Sequence, residues 1–262
     1  MANASTMNMV GAYPLGVIPP VASPSRVAFM TDPVLLITGG SSGLGAATAT
    51  AAARAGYRLV LTARRADRLA AFAASLDTPV LALPCDVGDW KQISGVVEQA
   101  EAHFGRLDAV FANAGSSVGT SFLGRSGEDP ELWRDMVVTN VCGPAYTARA
   151  ALPALVRSQG HLVLTGSASG RGVRPGSLYS ATKWAVTGLA QAIRAECVGT
   201  GVRVTIIQPG LVDTDAIPAD RRDDPKLEPA DVARAVLYAL DQPSTVDVNE
   251  IVIRPVGQDP YK

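Results

Sequence analysis

The chain has 262 residues, 47% of them hydrophobic, which is enough for one large core or two small ones. Its 23 basic and 24 acidic residues nearly cancel and are scattered, so no basic stripe exists to neutralise a row of phosphates, and nucleic acid is not an expected partner. Three cysteines without a CxxC pair, and only two histidines, His103 and His161, argue against a metal site or a disulfide framework and fit reduced thiols in a cytoplasmic protein.

Residues 1–32 contain Pro14, Pro19, Pro20 and Pro24 and show no helical or strand period, so they are expected to form a disordered N-terminal extension, with Met30 a candidate internal start. The same prolines interrupt the one apolar run long enough to suggest a secretory signal, and no later stretch approaches the ~20 apolar residues of a membrane span.

From residue 34 short apolar runs alternate with longer amphipathic ones. VLLIT leads into a helix over 43–55, RLVLTA into one over 66–76, and PVLALP into one over 89–103; LDAVFA follows at 107–112. Asp129 and Pro130 read as the cap and first-turn residue of a long helix over 130–157, bent by Pro144 near Asn140. HLVLTGS, a helix over 177–199, VRVTIIQP, an irregular polar stretch over 213–228, a helix over 230–241 and a strand over 249–253 complete the chain. Apolar runs buried on both faces and joined by helices predict an α/β fold: one Rossmann-type, doubly wound domain over 33–262 with a seven-stranded parallel sheet flanked by helices.

Directly after the first strand comes TGGSSGLG, residues 38–45, opening a helix. Gly39, Gly43 and Gly45 supply a tight turn, a bare backbone for a pyrophosphate to approach, and close contact between helix and strand. Ser41, Ser42 and Leu44 complete the predicted cradle, where unpaired N–H groups at the helix start face the anion. At the end of the second strand Ala63 stands where an acid would hold the adenosine ribose, and Arg64 and Arg65 follow. An acid there would repel a 2′-phosphate, whereas a guanidinium grips one, so NADP(H) is expected over NAD(H). The alternative is that both arginines simply decorate the exposed first turn of the next helix.

Tyr179 and Lys183 stand four apart on one predicted helix, on the same face, in a chain with 19 arginines and four lysines. A free phenol ionises near 10, too high for rapid proton exchange at neutral pH, and a fixed ammonium favours the phenolate. Lysine suits the position because its compact ammonium also donates to ribose hydroxyls, which the broad arginine fork does poorly.

TGGSSGLG, CDV at 85–87, NAG at 113–115, Asn140, GSASG at 166–170, YSATK at 179–183 and PGLVDT at 209–214 occur in the order seen in the classical short-chain dehydrogenase/reductase family, which the chain resembles from residue 34 onward. The resemblance implies a catalytic tetrad of Asn140, Ser167, Tyr179 and Lys183. Tyr179 would give a proton to a carbonyl oxygen or take one from a hydroxyl, Ser167 would hold that oxygen, Lys183 would bind the nicotinamide ribose and depress the Tyr179 pKa, and Asn140 would position a water linking Lys183 to solvent. The 12-residue separation of Ser167 and Tyr179 is one shorter than in many relatives, which keeps Ser169 as a competitor for the serine role. By the same mapping Asp86 and Val87 would meet adenine, Asn113, Ala114 and Gly115 the adenosine ribose, and Pro209, Gly210, Val212 and Thr214 the nicotinamide side.

The implied activity is hydride transfer between NADP(H) and a small carbonyl or secondary alcohol. Family habit adds a homo-oligomer, tetramer or dimer, built through the helices at 130–157 and 177–199 and the last strand. NEIVIRPVGQ and GVRVTIIQPGLVDT partly resemble a subgroup that includes serine and 3-hydroxy acid dehydrogenases. Two rivals remain at this level: a non-catalytic NADP-binding regulator, and a reductase of carrier-bound acyl chains. Pocket walls are expected from residues 116–126, 168–178 and 211–228, the carboxyl-edge loops, with Phe122 their one aromatic. Arg171 and Arg174 are each either a clamp for a substrate carboxylate or a group facing water or a neighbouring subunit.

Overall fold

The computed structural model describes residues 32–172, 174–215, 217 and 221–258, so the expectation for residues 1–31 lies outside the described residues. Seven parallel strands form one sheet in the order β3-β2-β1-β4-β5-β6-β7. They are β1 (Val34–Thr38), β2 (Arg58–Ala63), β3 (Val80–Pro84), β4 (Ala109–Ala112), β5 (His161–Thr165), β6 (Arg203–Pro209) and β7 (Glu250–Ile253). Each is the apolar run identified in the sequence. The order reverses between β1 and β4, where successive crossovers leave in opposite directions and open a crevice above the carboxyl ends of the strands.

Strand side chains alternate between two cores. Val34 and Leu36 face one side, which packs against Ile93 and Val97 of α3 (Trp90–Phe104), Ala151 and Leu155 of a later helix, and Val186 and Ala190 of another. Leu35 and Ile37 face the other, against Ala49 and Ala52 of α1 (Gly43–Arg54), Leu69 of α2 (Ala66–Ala74) and Val232 and Val236 near the C-terminus. With both faces covered, the strands have no use for polar residues, which is why they read as near-continuous apolar runs.

The long helix expected over 130–157 is three pieces: α4 (Glu131–Val137), a π-helical turn (Val138–Cys142) and α5 (Gly143–Ser158). The Gly143 N–H reaches back five residues to the Val138 carbonyl. Pro144 has no N–H to offer the Asn140 carbonyl four residues back, so the α-ladder fails there, and the chain absorbs the failure by widening a turn as well as bending. Two helices follow, α6 (Leu178–Glu196) and α7 (Pro229–Leu240). The irregular stretch before α7 is closed at its base by a single parallel bridge between Val212 and Leu227.

His161 opens β5 and is 1% exposed. Its Nε2 lies 2.7 Å from Thr205 Oγ1, whose own proton goes to the Val248 carbonyl at 2.5 Å. Nε2 therefore carries the ring proton and donates, leaving Nδ1 bare and without a partner among the described residues. Burial, aided by the Arg203 charge, pulls the His161 pKa from 6.5 to about 3. The unfolded chain binds this proton below pH 6.5 and the folded chain does not, so stability falls as the pH drops from 6.5 toward 3. Replacing His161 with leucine is expected to remove about 2 kcal/mol of the stability lost between pH 6.5 and about pH 4.5, read as a smaller shift in the urea midpoint.

Candidate active site

The crevice at the strand reversal is a cleft of about 740 Å³. Its floor is the junction of β1 and β4. Thr38 Oγ1 accepts the backbone N–H of Asn113 at 2.9 Å and of Ala114 at 3.0 Å, and Asn113 Nδ2 donates to the Thr38 carbonyl at 3.0 Å. Where the two strands would otherwise part, three hydrogen bonds hold the NAG turn against the glycine loop. Gly45 completes that contact, because a Cβ there would sit 2.2 Å from the Gly39 carbonyl oxygen.

At one end of the cleft lie Gly39, Ser41, Ser42, Gly43 and Leu44, with Arg64, Arg65, Asp86 and Val87 beside them. The start of α1 has no side-chain cap, so its first N–H groups remain available to an anion. Arg64 and Arg65 are exposed, and neither is ion-paired among the described residues. An uncapped helix start next to two uncommitted guanidinium groups fits a pyrophosphate carrying a further phosphate. Asn113, Ala114 and Gly115 line the middle of the cleft, and Pro209, Gly210, Val212 and Thr214 its far wall. Gly45 and Asn140 alone among the expected site residues do not line it; both act from behind.

Ser167, Tyr179 and Lys183 share the other end. Ser177 caps α6 by accepting the Ser180 N–H at 3.1 Å, which sets Tyr179 in the first turn, and Lys183 follows one turn on. Lys183 is 4% exposed, donates from Nζ to the Thr165 carbonyl at 2.9 Å and sits 5.6 Å from the centre of the Tyr179 ring. The same Thr165 donates its hydroxyl to Asn113 Oδ1 at 3.3 Å, so a continuous chain of contacts runs from Thr38 to the lysine. Asn140, in the π turn, commits its side chain to three partners: Oδ1 accepts the Ser116 N–H, and Nδ2 donates to the Ser116 carbonyl and to Thr182 Oγ1.

Between the two serine candidates, Ser167 is the hydroxyl that acts on Tyr179 and draws its pKa down. Ser169 offers its backbone N–H to Ser167 Oγ at 3.1 Å, which orients that hydroxyl. Burial raises the Tyr179 phenol above 10; Ser167 and then the Arg174 charge oppose the rise. Arg174 thus joins Lys183, the cation the sequence pointed to, whose Nζ lies 5.6 Å from the ring centre. Burial brings Lys183 itself down to about 8.

Of the two loop arginines, Arg171 is spent: its guanidinium is bidentate on Glu250 of β7, and it does not line the cleft. Phe122 also lies outside it, edge-on to Trp133 and 67% exposed. The predicted loops supply the walls through Ser117, Gly172, Arg174, Asp215 and Arg221, but Arg254 and Gln258, within the NEIVIRPVGQ stretch that stands out in the sequence only for its resemblance, join them.

A parallel sheet with a glycine-rich turn at its switch point and a tyrosine, a serine and a buried lysine in one cleft defines a nucleotide-binding α/β protein of the oxidoreductase type. The family model described as short chain dehydrogenase matches residues 33–225. An uncharacterized oxidoreductase of Staphylococcus aureus (strain MRSA252) is 41% identical over 234 residues, covering 87% of this chain and 99% of its own. Among solved structures, an alcohol dehydrogenase from the archaeon Thermococcus sibiricus complexed with 5-hydroxy-NADP superposes with a TM-score of 0.79 at 31% identity, over 88% of this chain and 99% of the other. The closed form of serine dehydrogenase complexed with NADP+ gives 0.80 at 29% identity, over 86% and 96%. The chain belongs to the short-chain dehydrogenase family and is an oxidoreductase of that family. Among the described residues no helix is long and apolar enough to cross a membrane.

The folded chain holds the Lys183 proton only up to about pH 8 and the unfolded chain up to 10.5, so stability due to this group rises with pH between those values. Lys183→Met is expected to be more stable than the parent by about 1–3 kcal/mol at pH 7, with the gap closing as pH approaches 10.5, as read by urea unfolding.

Proposed function

We propose that this chain is an NADP(H)-dependent oxidoreductase that interconverts a small carbonyl compound and its secondary alcohol, and that residues 33–262 are one catalytic domain. The observation that carries the reading is the sharing of one cleft by an uncapped helix start, an unpaired arginine couple, and the Ser167, Tyr179 and Lys183 side chains. Arg64 and Arg65 would hold a 2′-phosphate, the glycine loop and the start of α1 the pyrophosphate, and Lys183 the nicotinamide ribose. When bound, the dinucleotide supplies or accepts the hydride.

The remaining chemistry belongs to the protein. In the reducing direction Tyr179 Oη gives its proton to the substrate oxygen, and in the oxidising direction it takes one back. Ser167, oriented by the Ser169 N–H, donates to that oxygen as negative charge develops on it. Lys183, held on the Thr165 carbonyl, keeps a positive charge beside the phenol whenever it is protonated, which stabilises the phenolate left after transfer. Asn140 holds the 113–116 turn and α6 in register through Ser116 and Thr182, so it positions the site without touching the reacting atoms.

The expected homo-oligomer is carried as part of this proposal, supported by exposed Leu132, Val156, Trp184 and Val252 on the elements named for it. Light scattering reads the assembly directly.

Tyr179→Phe is expected to lower kcat by about 10²- to 10⁴-fold across a panel of aldehydes and ketones while NADPH binding, followed by fluorescence, changes by less than about threefold. Tight NADPH binding by the parent without turnover on any carbonyl would instead mark a non-catalytic regulator. Arg64→Ala combined with Arg65→Ala is expected to weaken NADPH binding by about tenfold or more and NADH binding far less. Equal losses for both would remove the phosphate assignment.

A further inference from the structure

We propose that the substrate is a carbonyl or hydroxy acid and that Arg174 binds its carboxylate; the inference rests on the oxidoreductase reading of the same cleft. The loop between Ser167 and Tyr179 carries two arginines three residues apart, and their surroundings differ sharply. Arg171 is neutralised by Glu250, which Gln208 also holds from β6. Arg174 lines the cleft with Ser167 and Tyr179, is partly buried, and has no ion pair and no side-chain hydrogen bond among the described residues.

The acid that acts on Arg174, Asp224, is already paired: Arg221 Nε donates to its Oδ2 at 2.9 Å. Arg221 therefore uses the local carboxylate and still adds its own repulsion at Arg174. Arg254 lines the same cleft and has no ion pair among the described residues either. Asp215, the acidic residue on that wall, is 90% exposed at its side chain and lies 3.7 Å from Arg68. Among the described residues, the wall beside Tyr179 thus carries more positive charge than negative.

A guanidinium withdrawn from water without a counter-anion is destabilising, because it loses hydration and gains nothing in exchange. Burial does lower the affinity of Arg174 for its proton. Such an arrangement persists where a ligand supplies the missing charge, and the planar fork of arginine, with two parallel N–H donors, matches a carboxylate. Arg174 lines the same end of the cleft as Ser167 and Tyr179, so a carboxylate bound there would lie near the carbon that exchanges hydride. The substrate class that follows is a short oxo acid, or the corresponding hydroxy acid, with few atoms between its two functional groups.

The test compares short oxo acids with their methyl esters, and with a phosphorylated aldehyde in parallel, using the full chain and NADPH. The parent is expected to prefer the acid to the ester by about 30-fold or more in kcat/KM, and Arg174→Gln to erase most of that preference, chiefly through KM. Arg174→Lys should recover part of it. If Arg174 serves only to tune Tyr179, Arg174→Gln will depress acid and ester equally and move the pH profile for both, and the inference falls. It falls equally if the parent prefers the ester or the phosphorylated aldehyde.

A second measurement does not depend on turnover. Calorimetric titration of the protein, with and without NADPH, with an unreactive short carboxylate such as butyrate is expected to give binding that Arg174→Gln weakens by at least about tenfold. Absence of binding by the parent, or equal binding by the variant, overturns the proposal. Failure of the oxidoreductase reading looks different: no carbonyl compound of any charge is reduced.

Discussion

One hydroxyl group carries the architecture of the site. Thr38 Oγ1, at the end of β1, accepts two consecutive backbone N–H groups from the turn after β4, where the order of the sheet reverses. From that point polar contacts pass through Asn113 to Thr165 and from Thr165 to Lys183, crossing β1, β4, β5 and α6. In a crevice that the topology opens and cannot close, these bonds replace the missing ladder and give the cleft fixed dimensions. The π turn serves the same end from outside, since Asn140 grips Ser116 on one side and Thr182 on the other.

The cleft is built against the protein's own stability. Lys183 is a nearly fully buried ammonium whose resolved perturbation is desolvation, with one backbone carbonyl as its hydrogen-bond partner. Arg174 is a second partly buried cation, with no ion pair among the described residues. Both line the cleft that also holds the uncapped start of α1, in a molecule of net charge -1. Such strain is tolerable because two apolar cores, one on each face of the sheet, hold the frame rigid around it.

Much of this was legible in the amino-acid order. All seven strands could be read because the strands of a parallel sheet covered on both faces are mostly apolar; spacing singled out the glycine loop, Tyr179 and Lys183, and the family resemblance supplied the roles of the last two. What escaped depends on partners far away in sequence. Arg171 and Arg174 look alike until Glu250, 79 positions from Arg171, claims one of them. Pro144 announced a disturbance near Asn140, but its form, a widened turn, is set by which carbonyl the Gly143 N–H can reach. Thr38 stood in plain view beside the glycines as an ordinary strand end. Arg254 and Gln258 lie in NEIVIRPVGQ, a stretch that carries a resemblance, but nothing in it marked them as cleft residues.

Gln258 ties the C-terminal segment to the turn after β6. Its Oε1 accepts the Leu211 N–H at 3.2 Å, close enough to Gly210 that a Cβ on that residue would lie 2.1 Å from it. The tail thus buttresses the very turn that forms the far wall of the cleft. Any substitution that shortens the Gln258 side chain would therefore free the Gly210–Leu211 turn and change the shape of the cleft from a distance in sequence.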